Sequence, residues 1–162
     1  MSQLILGVGD LGASKAPGEA VKTFALGSCV SVIFLDPKVR AVGMVHVALP
    51  ESKINAQKAQ AKPGYFADTG IPKLLAEMAR LGCNPRGVGM LVKLCGGANV
   101  MDPNDSFNIG KRNALAIKKL LWGLGMGARA EDLGGNFSRT VTVFVDSGDV
   151  LLSSPGRPDW KL

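Results

Sequence analysis

Two apolar runs flanking a short polar turn constrain this chain most. Residues 29–36 read CVSVIFLD, residues 37–40 read PKVR, and residues 41–49 read AVGMVHVAL. The runs are rich in valine and isoleucine, which suit a pleated surface. Asp36-Pro37 is a good turn opening, since proline presets φ and aspartate bonds its own backbone two residues on. A β-hairpin is therefore expected over residues 29–49. Further strands are expected in QLILGVG (3–9), KTFALG (22–27), GVGMLVKLCG (87–96, closed by Gly96-Gly97) and ARAEDLGG (128–135). RTVTVFVDSGDVLLSS (139–154) reads as a closing hairpin with its turn at Asp146 to Asp149.

Ile71, Leu74, Leu75, Met78 and Leu81 recur at helical spacing, with Asp68 or Thr69 as the expected cap and Gly82 as the stop. A second helix is expected from about Gly110 to Leu124, burying Ile117, Leu120, Leu121 and Leu124. LGASKAPGEA (11–20), the polar residues 50–64 and ANVMDPNDSF (98–107) read as connections, and residues 153–162 as a loose tail. Strands cluster at the two ends and helices interrupt them. That order predicts an α+β fold with a substantial sheet, not alternating βαβ units. At 162 residues the chain is expected to form one domain, residues 1–162.

The net charge of +6 permits acidic partners. The basic residues are scattered, however. The densest groups, Lys111-Arg112 and Lys118-Lys119, fall on one expected helix, and the aromatics form no stacking series, so nucleic acid is not an expected partner. Three cysteines without CxxC spacing and a single histidine argue against a disulfide framework or a metal site, and no cofactor is expected. No positive charge precedes the first apolar stretch, and no apolar run reaches 18 residues, so neither a signal peptide nor membrane insertion is expected. A reduced, cytoplasmic protein follows as the expectation.

Cys29 is the first candidate for chemistry. Free cysteine often serves as a small buried hydrophobe. Gly27 and Ser28, however, place it at the edge of its apolar run, where backbone N–H groups of a bend can face a developing oxyanion. A thiol nucleophile needs a group that takes its proton and later protonates a leaving amine. Only His46, inside the second run of the hairpin, can supply an imidazole. Thr23 could orient that ring more weakly than a carboxylate would. Cys83 and Cys95 read as structural. GVGDLG (7–12) matches GxGxxG through Gly7, Gly9 and Gly12, but Pro17 and Gly18 spoil the helix the motif should open. EDLGGN (131–136) reads as a loop.

Taken in order, TFALGSCVSVIFLDP, VGMVHVALP, KLCGGANVM, IGKRN and AEDLGGNFSRTV resemble the chemoreceptor glutamine deamidase family, CheD, from about residue 3 to residue 153. The resemblance implies a central β-sandwich flanked by helices, similar to the catalytic domain of cytotoxic necrotizing factor toxins. It implies hydrolysis of selected glutamine side chains on methyl-accepting chemoreceptor cytoplasmic helices, giving glutamate and ammonia. The family's nucleophile, histidine and threonine fall on Cys29, His46 and Thr23. Gly27 and Ser28 would then support the oxyanion. The chain departs from the family's common pattern at Cys95, often bulky and apolar, and at Val42, often glycine. The resemblance further implies a regulator, CheC, and loop 98–109 with Phe107 is the expected partner-binding edge. A non-catalytic adaptor that binds receptors or CheC is the alternative reading.

Overall fold

The computed structural model describes residues 2–100 and 107–162. Ten strands form two five-stranded sheets. The first sheet contains β1 (Gln3–Leu6), β3 (Ala20–Leu26), β8 (Arg139–Phe144), β9 (Val150–Ser154) and β10 (Arg157–Lys161), in that order. The second runs β2 (Leu11–Ser14), β5 (Ala41–Val47), β4 (Val30–Asp36), β6 (Leu91–Gly96) and β7 (Ala128–Leu133). Most pairs are antiparallel, but β1–β3 and β6–β7 are parallel. The described residues also form three α-helices: α1 (Ala56–Ala61), α2 (Ala67–Arg80) and α3 (Ile109–Gly123).

The expected hairpin is the centre of the second sheet. β4 and β5 pair antiparallel from Val30↔Val47 to Asp36↔Ala41, and every residue in both strands is buried. Alternation explains why both runs are apolar throughout, since each face of the sheet meets its own core. Val30, Val32, Phe34, Val45 and Val47 face α2 and α3 through Ile71, Leu74, Met78, Ile117 and Leu121. Ile33, Leu35, Val42 and Met44 face the first sheet through Val21, Leu26, Val141, Val143 and Leu152. The molecule is thus a β-sandwich with helices on one outer face. Gly43 lets α2 approach: a Cβ there would lie 2.7 Å from Met78 Sδ.

Several expectations need correction. LGAS is strand β2, antiparallel to β5, and not part of a turn-rich connection. Its four residues are too short and too small to show a strand pattern. Residues 50–64 hold a 3-10 turn (Ser52–Ile54), α1 capped by the Asn55 side chain, and the start of a second 3-10 turn (Pro63–Tyr65). Neither Asp68 nor Thr69 caps α2. Phe66 holds the N-cap position, and Asp68 instead accepts the backbone N–H of Ser52 at 2.9 Å. On α3, Ile117 and Leu121 are buried but Leu124 is 44% exposed.

The tail is not loose. β10 pairs antiparallel with β9, and Trp160 Nε1 donates to Asp132 Oδ2 at 2.9 Å. Asp132 also accepts from Arg139 Nε at 2.7 Å, so one carboxylate joins β7 to β8 and β10 across both sheets. Arg139 is only 2% exposed. Removing the partner of a buried guanidinium leaves an uncompensated charge. Asp132→Ala should therefore lower unfolding free energy by about 3 kcal/mol, read as a shifted urea midpoint with an unchanged slope.

Candidate active site

Thr23 and His46 come from different sheets and meet between them. Thr23 lies opposite Val141 on β3, just before a bulge. Phe24 and Ala25 stand against one partner position, and Ala25 takes a left-handed φ of 51°. The bulge lets Thr23 and Leu26 both point inward. His46 lies directly opposite Ser31 and faces the inter-sheet side of β5. Both its backbone N–H and its carbonyl are held by the GVGDLG segment: Gly9 N–H donates to His46 O at 2.9 Å, and His46 N–H donates to Asp10 O at 3.0 Å. The segment whose GxGxxG spacing was set aside therefore braces the histidine. Gly9 needs its φ of 80°, and a Cβ there would lie 2.9 Å from Tyr65 Cδ2.

Thr23 Oγ1 donates to Leu6 O at 2.9 Å and lies 2.7 Å from His46 Nδ1. A hydroxyl has one proton, already given to Leu6, so Nδ1 carries the hydrogen in this pair. The ring's remaining nitrogen, Nε2, then presents a lone pair. Nε2 is buried and has no hydrogen-bond partner among the described residues. Burial pushes the His46 pKa down from 6.5 to about 4. The Asp10 carboxylate draws it partly back up, and Lys62 opposes that. At neutral pH the ring is neutral, in the form a general base requires.

Cys29 sits one residue before β4, on the same inter-sheet face as Ser31, the residue opposite His46. It is half-buried and packs against the inter-sheet cluster. Burial raises its thiol pKa, while its own backbone N–H pulls the other way. The resting pair is thus neutral thiol and neutral imidazole. The three carbonyls of Gly27, Ser28 and Cys29 are tied back, to Ala98 N–H at 2.8 Å, Asn113 Nδ2 at 3.0 Å and Gly97 N–H at 2.8 Å. Gly96 must be glycine, because its φ is 112° and a Cβ would collide with the Cys29 carbonyl.

Cys95 is fully buried opposite Ser31, with its pKa pushed up to about 12 by burial and by Asp132. Cys83 is 5% exposed, with its pKa raised to about 11 chiefly by burial. Both are buried, whereas Cys29 is only half-buried, which leaves Cys29 as the accessible thiol. Phe107 is 73% exposed. The rest of the expected partner loop lies partly at residues 101–106, outside the described residues. Sequence reasoning missed Asn113, the last residue of IGKRN: its buried side chain bonds the backbone just outside both strands of the site. Among the described residues no group of His, Cys, Asp and Glu side chains could hold a metal, and no helix is long and apolar enough to cross a membrane.

The depressed His46 pKa makes stability depend on pH. Between about 4 and 6.5 the unfolded chain binds a proton at His46 that the folded chain refuses. Stability therefore rises with pH across that window and is lost as pH falls through it, by up to about 3 kcal/mol. Urea titrations from pH 7 to pH 4 should show this loss in the wild type, and a smaller one in His46→Gln.

The family model described as CheD chemotactic sensory transduction matches residues 48–154. A Syntrophotalea carbinolica protein named "Probable chemoreceptor glutamine deamidase CheD" is 60% identical over 162 residues, covering 100% of both chains. A Solibacter usitatus protein of the same name is 42% identical over 97% of this chain and 92% of that one. Among solved structures, the Bacillus licheniformis hypothetical protein YfiH is a loose likeness, with 15% identity over 76% of this chain and 49% of that one and a TM-score of 0.42. On full-length identity and the family match together, this chain belongs to the CheD family.

Proposed function

We propose that this protein hydrolyses the side-chain amide of glutamines on chemoreceptor cytoplasmic helices, through a thioester on Cys29. The names carried by its relatives support the substrate and the reaction. The observation that carries the mechanism is the Thr23–His46 hydrogen bond, which leaves a buried Nε2 without a partner among the described residues, on the face that Cys29 shares.

His46 Nε2 takes the Sγ proton as the sulfur attacks the carboxamide carbon. The tetrahedral oxyanion is held by the backbone N–H of Cys29, with Gly27 and Ser28 shaping the bend. The C–N bond then breaks, and the imidazolium returns the proton so that ammonia leaves. Water, deprotonated by His46, hydrolyses the thioester to a glutamate side chain and a free thiol. Thr23 keeps the ring in the tautomer that both halves require. Because thiol and imidazole rest uncharged, the nucleophile forms when substrate is bound and not before. The likeness to the necrotizing factor catalytic domain, a CheC regulator, a receptor or CheC contact at Phe107 and a cytoplasmic location belong to the same reading. The two-sheet sandwich and the exposure of Phe107 support it.

A chemoreceptor cytoplasmic fragment incubated with the wild type should gain about one dalton per modified glutamine, with no gain for Cys29→Ala. Binding of the fragment by both proteins with no mass gain from either would make the protein an adaptor. With the base titrating at about 4, kcat/KM should persist below pH 6 and fall only as pH drops through that value. An acid limb centred near 6.5 would show that His46 is solvated in the working enzyme.

A further inference from the structure

After Val47 the two strands that carry the site part company. β5 turns away, with Ala48 N–H and Leu49 N–H both donating to Tyr65 O, at 2.9 and 3.0 Å. β4, traced backwards from Val30, bends towards Gly97. Cys29 and Ser28 lie on one arm of this fork, and Ala48, two residues after His46, lies on the other. No ladder hydrogen bond fixes the separation of the arms beyond Val30↔Val47.

Asn113 spans the fork. Its Nδ2 donates to Ser28 O and to Ala48 O, both at 3.0 Å. The side chain is fully buried, and its Oδ1 has no hydrogen-bond partner among the described residues. The amide orientation is fixed by chemistry: reversed, it would set an oxygen against two carbonyl oxygens. A buried amide with its acceptor end unsatisfied is a poor device for stability. What it supplies is two N–H bonds from one atom to the two arms. α3 can deliver it because Gly110 and Gly97 lie in close backbone contact, where a Cβ on either would meet the other's carbonyl oxygen.

We propose that Asn113 is a positioning residue for the Cys29–His46 pair, clamping the backbone beside each so that the sulfur and Nε2 sit at a fixed separation. The proposal rests on the deamidase reading for its effect on turnover, but not for its effect on the thiol. Proton transfer from Sγ to Nε2 depends steeply on that separation, and a displacement of about 1 Å can cost about 10²-fold in rate. Asn113→Asp keeps the shape and replaces both donors with an oxygen that two carbonyls repel. Asn113→Ala removes the side chain, and Asn113→Ser shortens it to one donor.

The test has two arms, run on those variants that keep the wild-type far-UV circular dichroism. The first is the pH profile of Cys29 alkylation by iodoacetamide, which needs no receptor and reads one thiol, since Cys83 and Cys95 are buried. Asn113→Asp should shift the profile to that of His46→Ala. The second is kcat and KM on a chemoreceptor cytoplasmic fragment. kcat should fall by about 10²-fold with KM little changed. Folded variants with a wild-type alkylation profile and wild-type kcat would overturn the proposal. So would loss of the fold in all three, which would make Asn113 a support of the domain and not of the site. A shifted alkylation profile from a protein whose wild type deamidates nothing would uphold the positioning role and refute the deamidase reading alone.

Discussion

The hydrogen bond between Thr23 and His46 is a buried polar link between the two sheets, and the site depends on it. Each partner belongs to a different sheet, so the bond ties the packing of the two sheets to the orientation of one ring. It is embedded beside an apolar cluster of Leu6, Val21, Leu26, Met44 and Val141. There, an imidazole N–H without an acceptor would cost much of the free energy of desolvating it. The threonine hydroxyl meets that need and passes its own proton to Leu6 O, so a neutral chain of donors ends on a backbone carbonyl. A carboxylate in place of Thr23 would bring a charge into the same layer. The hydroxyl orients the ring without that charge, and the ring stays uncharged.

If Cys29 and His46 act as proposed, keeping both neutral has a consequence for control of the nucleophile. An ion pair of thiolate and imidazolium would react with any electrophile that reached it. Here burial opposes ionisation of Cys29 and of His46 alike. In the proposed mechanism the proton moves only when an amide carbon is present to take the electron pair. The half-buried position of Cys29 matters for the same reason, since a sulfur in open water would lose the desolvation that holds its proton.

Much of this fold was legible where the pattern was local. The β4–β5 hairpin announced itself through valine and isoleucine around Asp36-Pro37, and α2 through the spacing of Ile71, Leu74, Leu75 and Met78. Elements at the sheet edges were not legible. LGAS shows no alternation over four residues, and RPDWK carries charges and a proline, as an edge strand can because half its backbone needs no partner. At the site, residue chemistry pointed to Cys29 and His46, and the hairpin made their proximity permissible. Their shared face required the register, which nothing in the sequence reports. Thr23 was harder still: it reaches His46 from the other sheet, and only after a bulge at Phe24-Ala25. Asn113 escaped because an asparagine in a helix reads as surface. Its burial follows from Gly97 and Gly110 allowing α3 to sit against the β6 end, a tertiary fact.

The polar groups of the inter-sheet layer also specify the fold. His46, Ser31, Cys95 and Asp132 lie opposite one another in a row across β5, β4, β6 and β7. Slipping β5 by one residue would turn His46 to the helix side, among Leu74 and Met78, whose side chains offer no acceptor to Nδ1. The same slip in β7 would separate Asp132 from Arg139 and Trp160 and strand a buried guanidinium. A strand pair made only of valines would pay much less for such a slip, since either face could enter a core. The row makes alternative registers expensive at two distant places at once. In this chain the buried polar atoms that make chemistry possible at one end of the row are thus among those that exclude misregistered sheets, and selection for either property would preserve both.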